Sequence, residues 1–391
     1  MAISRLSNAL ANRKLSILAA GLLTAAVPFG FEQLGIYLCY LLGGLLLLSS
    51  RLDSDATLFF SFSVIFVALQ IILNVLFDVE VSYWQVLRTM SYSLLSFVIY
   101  GFVVCNKNFN YAFFKYEKYI ATFIFILFLM DVVFGVRLYS SSLVVGESSR
   151  IYVFSPMLFY LLLCLSFYEG RSLALFYLVL ILATLQKSIL VCIFLLFVMM
   201  LMFRSKNLGA RWVISASVLS LGPVIYFGSD ILNRFQEFLA VGDLWRLEEI
   251  VLGSQAFLND AYSVAFGHGV GVPYRDLQFD MLGSDSERLA VNMTYDVHNL
   301  YIDLLMKFGV IYTLAYMIFI ARQLKRLPRI LATPCLVFFV VQGASSPAIF
   351  HSVDALGFML GLALLVGRFK FCDYTEPKGR TNAEYLPSAQ G

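Results

Sequence analysis

Long apolar runs, separated by short polar stretches, account for most of this chain. Runs of about 17 to 25 apolar residues have the length that a helix needs to cross a bilayer, and about twelve of them can be placed. We place them at residues 14–30, 34–50, 57–77, 84–105, 118–136, 152–168, 171–186, 188–203, 212–228, 297–320, 328–345 and 350–368. The pattern predicts an all-α, polytopic membrane protein, with hydrophobic residues at 60% and charged residues at 14% of the chain.

The polar interval at residues 229–296 divides the chain. We expect nine transmembrane helices in 1–228, a loop domain in 229–296, three more helices in 297–368 and a tail in 369–391. Within the loop domain, the segment from Gly242 to Asp260 predicts an amphipathic helix over the mouth of the transmembrane helices. Its apolar stripe contains Leu244, Leu247, Val251 and Leu258. Glycines at 267, 269 and 271 then predict a tight turn.

The charge of the short loops predicts an orientation, because Lys and Arg accumulate in cytoplasmic loops. With the N-terminus inside, every loop on the cytoplasmic side is basic, whereas three of the opposite loops contain Glu32, Asp78 with Glu80, and the uncharged segment 343–347. Both termini are therefore expected in the cytoplasm and the long loop outside. The net charge of +3 follows from this topology, and no nucleic-acid partner is predicted.

Several cations depart from this rule because they fall on the outer side. They are Arg88, Arg137, Arg150, Lys187, Arg234, Arg246, Arg275 and Arg288. Together they predict an outward surface suited to an anion, and Arg88 and Lys187 fall at membrane depth, where a charge is costly unless it has a partner. The alternatives are structural: Arg88 and Lys187 extend to headgroups, and Arg246 pairs with Glu249 on the helix surface.

His298 precedes the apolar run after the loop, in a segment that extends from Tyr295 to Tyr312. A helix N-terminus favours the neutral, proton-accepting imidazole, so His298 is a candidate general base. The alternative is an interfacial polar anchor, with Asn299 capping the helix. Asp296 either orients the imidazole or caps the span, and Asp303 is spaced to pair with Lys307.

The remaining histidines, the cysteines and a DxD motif give weaker functional signals. His268 and His351 fall in no zinc-binding pattern, and the six cysteines lie in spans or on the cytoplasmic side, so neither a metal nor a cofactor is predicted. Asp53-Ser54-Asp55 forms a DxD, which we interpret as a solvated turn on the opposite side of the membrane from His298.

From His298 the sequence follows the pattern H-N-x-Y-x7-G, with Asn299, Tyr301 and Gly309. This pattern resembles the signature of the O-antigen ligase and polymerase superfamily of the bacterial inner membrane. Upstream parts agree in order: Lys187 with Ser188, Arg246 with Trp245, and the turn at 267–271. Three positions depart from the family pattern, which more often has Arg at 187, an acidic residue at 307 and a small residue at 312.

The resemblance implies a metal-independent, inverting glycosyltransferase of the GT-C type whose donor is a glycan on undecaprenyl diphosphate. In that reading His298 is the base, while Lys187 and Arg246 stabilise the leaving diphosphate. Arg88 and Arg150 are further diphosphate contacts. The supporting residues are Asn299, Asp296, Tyr301 and Gly309.

The departures at Lys187 and Tyr312 favour a polymerase of O-antigen or exopolysaccharide repeat units, located in the inner membrane with the loop in the periplasm. The nearest alternative is an O-antigen ligase, which transfers the finished polymer to lipid A core. Expected partners are membrane lipids, a chain-length regulator and a flippase. Alternatives from other classes are a flippase or other transporter, and a sensor or assembly factor without catalysis.

Overall fold

The computed structural model describes most of the apolar runs and part of the loop domain. The described residues are 37, 40–41, 43–47, 51–79, 81–134, 155–183, 187–203, 250–251, 253–272, 274–275, 293–294, 299–345 and 353–372. They are helical apart from turns and two short strands. The helices are α1 (Ser54–Leu76), α2 (Tyr83–Cys105), α3 (Lys107–Phe134), α4 (Pro156–Glu169), α5 (Leu173–Ala183), α6 (Lys187–Phe203), α7 (Ala261–Phe266), α8 (Leu300–Leu324), α9 (Arg329–Ser345) and α10 (Val353–Cys372).

Helix boundaries follow local sequence signals. Helix α4 begins at Pro156, which needs no donor in the first turn, and ends before Gly170 in the left-handed conformation. Helix α3 begins eleven residues before the predicted start at 118, which places residues expected in a loop within a helix. The side chain of Asn106 accepts from the Phe109 N–H at 2.9 Å, and Phe109, Ala112 and Phe113 bury one face of this first part.

Three described helices are long and apolar enough to cross a membrane: α1, α2 and α8. Four shorter described helices, α4, α5, α6 and α9, are also apolar. The fold is thus that of a helical membrane protein. The predicted spans at 14–30 and 212–228, most of 34–50, and the tail after 372 lie outside the described residues.

Charged side chains join the helices at one end of the bundle, which we call the Asp53 end. Arg326 after α8 pairs with Asp53 and Asp55 at the start of α1, with N–O distances of 3.0 and 2.7 Å. Arg171 pairs with Glu117 of α3, and Glu169 of α4 pairs with Arg368 of α10. The DxD, predicted to be a solvated turn, is therefore an ionic clamp between α1 and α8.

The core between the helices is rich in aromatic side chains. Tyr312 of α8 stacks on Phe308 and on Phe62, and its hydroxyl lies 2.9 Å from the Ser63 hydroxyl of α1. Tyr160 of α4 stacks on Phe338 of α9 at 4.2 Å between ring centroids. Helix α9 contacts both α6 and α8.

Two-residue strands close the described part of the loop domain. Strand β1 (Tyr274–Arg275) pairs with β2 (Met293–Thr294) in antiparallel register, with Tyr274 opposite Thr294.

Candidate functional site

Helix α8 begins with a complete cap at Asn299. Its side-chain oxygen accepts from the backbone N–H groups of Tyr301, at 3.0 Å, and Ile302, at 3.2 Å. Its amide nitrogen donates to the Ala344 carbonyl of α9 at 3.2 Å. Asn299 therefore satisfies donors of the first helical turn and also joins two helices, which confirms the cap that the sequence analysis gave as part of the structural alternative for His298.

Tyr301 holds the same end of α8 against α9. Its hydroxyl lies 3.2 Å from the carbonyl oxygens of both Phe339 and Val340. Gly343 leaves room for this ring, since a Cβ there would lie 2.9 Å from the Tyr301 hydroxyl oxygen. The side chain thus fixes the angle at which the chain enters α8.

The backbone of α8 is interrupted at Gly309. This residue has φ 70° and ψ −174°, outside the helical region. A Cβ at Gly309 would overlap the carbonyl oxygen of Ala265. No residue other than glycine therefore fits at position 309 unless the backbone shifts. Helix α8 therefore consists of two half-helices, and the carbonyls before the break lose their partners in the helix.

The glycine turn, which we define as Gly267–Gly271, supplies the missing donors. The His268 N–H donates to the Met306 carbonyl at 2.5 Å, and the Gly269 N–H donates to the Lys307 carbonyl at 3.2 Å. Gly267 has φ 82° and its Cα faces the backbone at Lys307 and Phe308, so a side chain there would clash. The backbone of the glycine turn therefore packs directly against the backbone of α8 at the break.

Helices α1 and α2 complete this contact. Gln70, 1% exposed, donates from Nε2 to the Lys307 carbonyl at 2.6 Å and also to the Phe266 carbonyl. The Ser82 N–H, just before α2, donates to the Gly271 carbonyl at 2.8 Å. Sequence reasoning missed Gln70 and Ser82; a buried amide within an apolar run was the signal that could have identified Gln70.

A buried ion pair lies beside the break. Lys307 Nζ lies 2.9 Å from Asp303 Oδ1 and 3.1 Å from Oδ2, with side chains 3% and 0% exposed. The i,i+4 pairing predicted from the spacing is confirmed. The interior of α8 is accordingly not apolar throughout.

His268 and Asp260 are titratable groups outside the membrane-spanning helices. Burial lowers the pKa of the His268 imidazole, and the nearby charge of Asp260 opposes that shift. Asp260 caps α7 by accepting from the Ser263 N–H at 2.7 Å, and this backbone hydrogen bond lowers the pKa of its carboxyl group. The neutral form of His268 is therefore favoured in the folded protein.

The described part of the loop helix contacts α8 through a different face from the predicted stripe. Residues 250, 251 and 253–257 are helical, and Ala256 packs against Met306. Val251 and Leu258, predicted to lie on the buried stripe, are 52% and 65% exposed. The apolar pattern located a helix here but did not identify the face that packs.

The predicted cationic and basic residues are described only in part. His298, Asp296, Arg150 and Arg246 lie outside the described residues, as does the side chain of Lys187. The backbone of Lys187 begins α6. Arg88 is half-buried as the sixth residue of α2, below the contact between Ser82 and the glycine turn. Within the described residues, no group of three or more His, Cys, Asp or Glu side chains could hold a metal.

Comparison with known proteins adds no family to this description. No protein-family model matches the chain, and no curated protein matches it. The fold and the site define a helical membrane protein with an interrupted helix joined to a glycine turn.

Proposed function

We propose that this protein is a membrane glycosyltransferase that polymerises oligosaccharide repeat units carried on undecaprenyl diphosphate. The observation that carries the proposal is the interlocking of the glycine turn with the break at Gly309. The glycine turn and the segment that contains Gly309 are both motifs of the resemblance. They lie on either side of the end of the loop domain in sequence, and the backbone hydrogen bonds bring them into contact. Such a frame is what a reactive side chain next to it requires, because catalysis demands positions held within a fraction of an ångström.

His298 is proposed as the general base on this frame. It immediately precedes Asn299, whose side chain is bonded to both α8 and α9. An acceptor hydroxyl loses its proton as it attacks the anomeric carbon, and a neutral histidine beside a helix N-terminus is suited to receive that proton.

The leaving diphosphate needs positive charge, because it departs with additional negative charge. Lys187 and Arg246 are proposed for this role, with Arg88 and Arg150 as further contacts. Two facts support Lys187 and Arg88: Lys187 begins α6, whose neighbour α9 is bonded to Asn299, and Arg88 follows Ser82, which bonds the glycine turn. The twelve-span topology, the GT-C class and the inner-membrane location belong to this proposal.

An O-antigen ligase uses the same donor and the same base and differs in its acceptor, so it stands as the nearest alternative. A transporter is a second alternative, and two observations favour it: the interrupted helix α8 and the buried charge pair are both features of transporter sites. The carbonyls of Met306 and Lys307 at the break are, however, already bonded to the glycine turn. A coordinating site would need those oxygens, so we favour the transferase.

The test combines deletion of the gene with complementation. A polymerase deletion leaves a single repeat unit on lipid A core. Loss of all glycan with accumulated lipid-linked polymer would identify a ligase, and single repeats accumulated at the cytoplasmic face would identify a flippase.

Site variants then test the assignment. We expect His298→Ala to reduce polymer formation by about 10²–10⁴-fold, the usual contribution of a general base. Lys187→Ala should also lose polymer, and Lys187→Arg should restore part of it because the charge is kept. His351→Ala is the matched histidine control and should complement fully. If both alanine variants yield full-length polymer at matched expression, the site assignment is wrong.

A further inference from the structure

Helix α3 carries three exposed lysines near the Asp53 end: Lys107, Lys115 and Lys118. Tyr111, also exposed, lies between them, and the four residues follow one another at intervals of four, four and three positions. On an α-helix this spacing places all four side chains on one face. We call these four residues the lysine stripe. Neither the contacts of the glycine turn nor the proposed transferase chemistry uses it.

The lysine stripe is positively charged because the one acidic residue of this part of α3 faces the core. Glu117 is 3% exposed, accepts from the Tyr177 hydroxyl of α5 at 2.8 Å and pairs with Arg171. Within the part of the chain that the structure describes, the side chains of the three lysines make no ion pair or hydrogen bond. The ammonium of Lys115 lies 5.3 Å from the centre of the Tyr116 ring. The exposed face therefore presents three positive charges and no carboxylate.

The arginines that join the helices at the Asp53 end are used differently. Arg171, Arg326 and Arg368 each pair with a carboxylate of another element, so their charge is balanced inside the protein. The ammonium groups of the lysine stripe are instead open to the surroundings of the helix. A lysine ammonium on its flexible stem binds phosphate as a point charge. The arginines thus hold the bundle together, and the lysines of α3 are available to an external anion.

The position of the lysine stripe along α3 places it where the helix enters the bilayer. The predicted membrane span begins at residue 118, and the 28 residues of α3 extend over about 42 Å, more than the roughly 30 Å of a hydrocarbon core. Beyond Lys118 the exposed side of the helix becomes apolar: Tyr119, Phe123 and Ile126 are 73%, 54% and 49% exposed. Apolar side chains there face the lipid tails, and tyrosines collect at the interface. The lysines therefore lie at the level of the lipid phosphates.

We propose that the lysine stripe binds the headgroup phosphates of anionic phospholipids in the leaflet at the Asp53 end. Lys115 and Lys118, about one helical turn apart, hold one phosphate, and Lys107 contacts a second about two turns further out. Charge complementarity selects this occupant, because basic residues next to a membrane span attract an anionic leaflet. A zwitterionic lipid is attracted less, since its own ammonium offsets the charge of its phosphate.

The experiment uses the full chain in detergent, with phosphatidylglycerol and phosphatidylcholine of identical acyl chains supplied at equal concentration. Native mass spectrometry then measures how many molecules of each lipid are bound. We expect a preference of about tenfold for phosphatidylglycerol, because each lysine near the headgroups adds to the attraction.

Removal of the charge tests the stripe directly. The triple variant Lys107→Gln, Lys115→Gln and Lys118→Gln should reduce the preference to less than about twofold. The double variant Lys115→Gln and Lys118→Gln should reduce it to about threefold, and it provides the test if the triple variant does not fold. Arginine at the three positions keeps the charge and should keep the preference.

A matched control removes the same number of charges from other exposed positions at the Asp53 end. It combines Lys325→Gln after α8, Arg329→Gln at the start of α9 and Lys370→Gln near the end of α10. This variant should keep a preference of about fivefold or more, because the lysine stripe is unaltered. A loss as large as that of the stripe variant would show that the charge of the whole end attracts the lipid, which overturns a site on α3.

Inorganic phosphate distinguishes a lipid from a soluble anion. Retention of phosphatidylglycerol in excess inorganic phosphate, at matched ionic strength, supports the leaflet as the source, and its displacement overturns that assignment. Equal binding of the two lipids by the unaltered chain overturns the proposal, as does a preference that persists in the double and triple glutamine variants. None of these results depends on glycan polymerisation.

Discussion

Asn299, Tyr301 and Gly309 each make a contact that fixes the backbone of α8. Asn299 caps the helix, Tyr301 bonds it to α9, and Gly309 permits the break that receives the glycine turn. Their spacing from residue 298 therefore has a structural cause.

Gly309 offers the sharpest test at this scale. Gly309→Ala should destabilise the protein by more than about 3 kcal/mol, because a left-handed φ and a steric overlap act together. Gly170→Ala is the control: Gly170 has φ 68°, close to the 70° of Gly309, but open space around it. It should lose only about 1 kcal/mol. Thermal unfolding in detergent measures both, and equal losses would show that the break is not tightly packed.

At the scale of elements, the interrupted α8 and the glycine turn form one unit with α1. Lys307 takes part twice, through its carbonyl, which accepts from Gly269 and Gln70, and through its side chain, which pairs with Asp303. A buried pair of this kind is strongly coupled, because either charge alone is costly in a low-dielectric interior.

A double-variant cycle measures that coupling. Asp303→Leu or Lys307→Met alone should destabilise the protein by about 3–5 kcal/mol, because each leaves one buried charge without its counter-ion. The double variant should lie within about 1 kcal/mol of the unaltered protein if the pair serves stability alone. An activity assay then shows whether the pair has a role beyond stability. A stable but inactive double variant would indicate that the pair also serves transport or catalysis.

At the scale of the whole molecule, the ion pairs of the described residues other than Asp303–Lys307 lie at the Asp53 end, and the glycine turn lies at the opposite end. Helices α1, α3 and α5 begin near the charged end, and α4, α8 and α10 finish near it. This arrangement agrees with alternate loops falling on alternate sides, which was the basis of the predicted orientation.

Cysteine labelling tests that orientation in whole cells. In a version without Cys39, Cys105 and Cys372, Phe77→Cys should react with a membrane-impermeant maleimide, because Phe77 is 65% exposed after α1, at the end predicted to lie outside. Lys325→Cys should react only after permeabilisation, because it follows α8 at the Asp53 end. The reverse pattern would invert the predicted topology and place the glycine turn in the cytoplasm.

Hydropathy located the described helices well, to within about five residues at most ends. It failed at the start of α3, where a capping side chain and a buried face extend the helix among charged residues. It also failed for the loop helix, because the buried face there is set by the partner, Met306, and not by the helix's own apolar stripe.

For the site, spacing alone predicted the Asn299 cap and the Asp303–Lys307 pair, since both are contacts between near neighbours in the chain. The roles of Gln70, Ser82 and Gly309 required tertiary structure, because each acts on backbone atoms far away in sequence. The same holds for the DxD, whose partner Arg326 is distant along the chain. Sequence determined the membrane class, the helices and their caps through local periodicity and composition. Only the packed fold decided which carbonyls lost their helical partners and which donors replaced them.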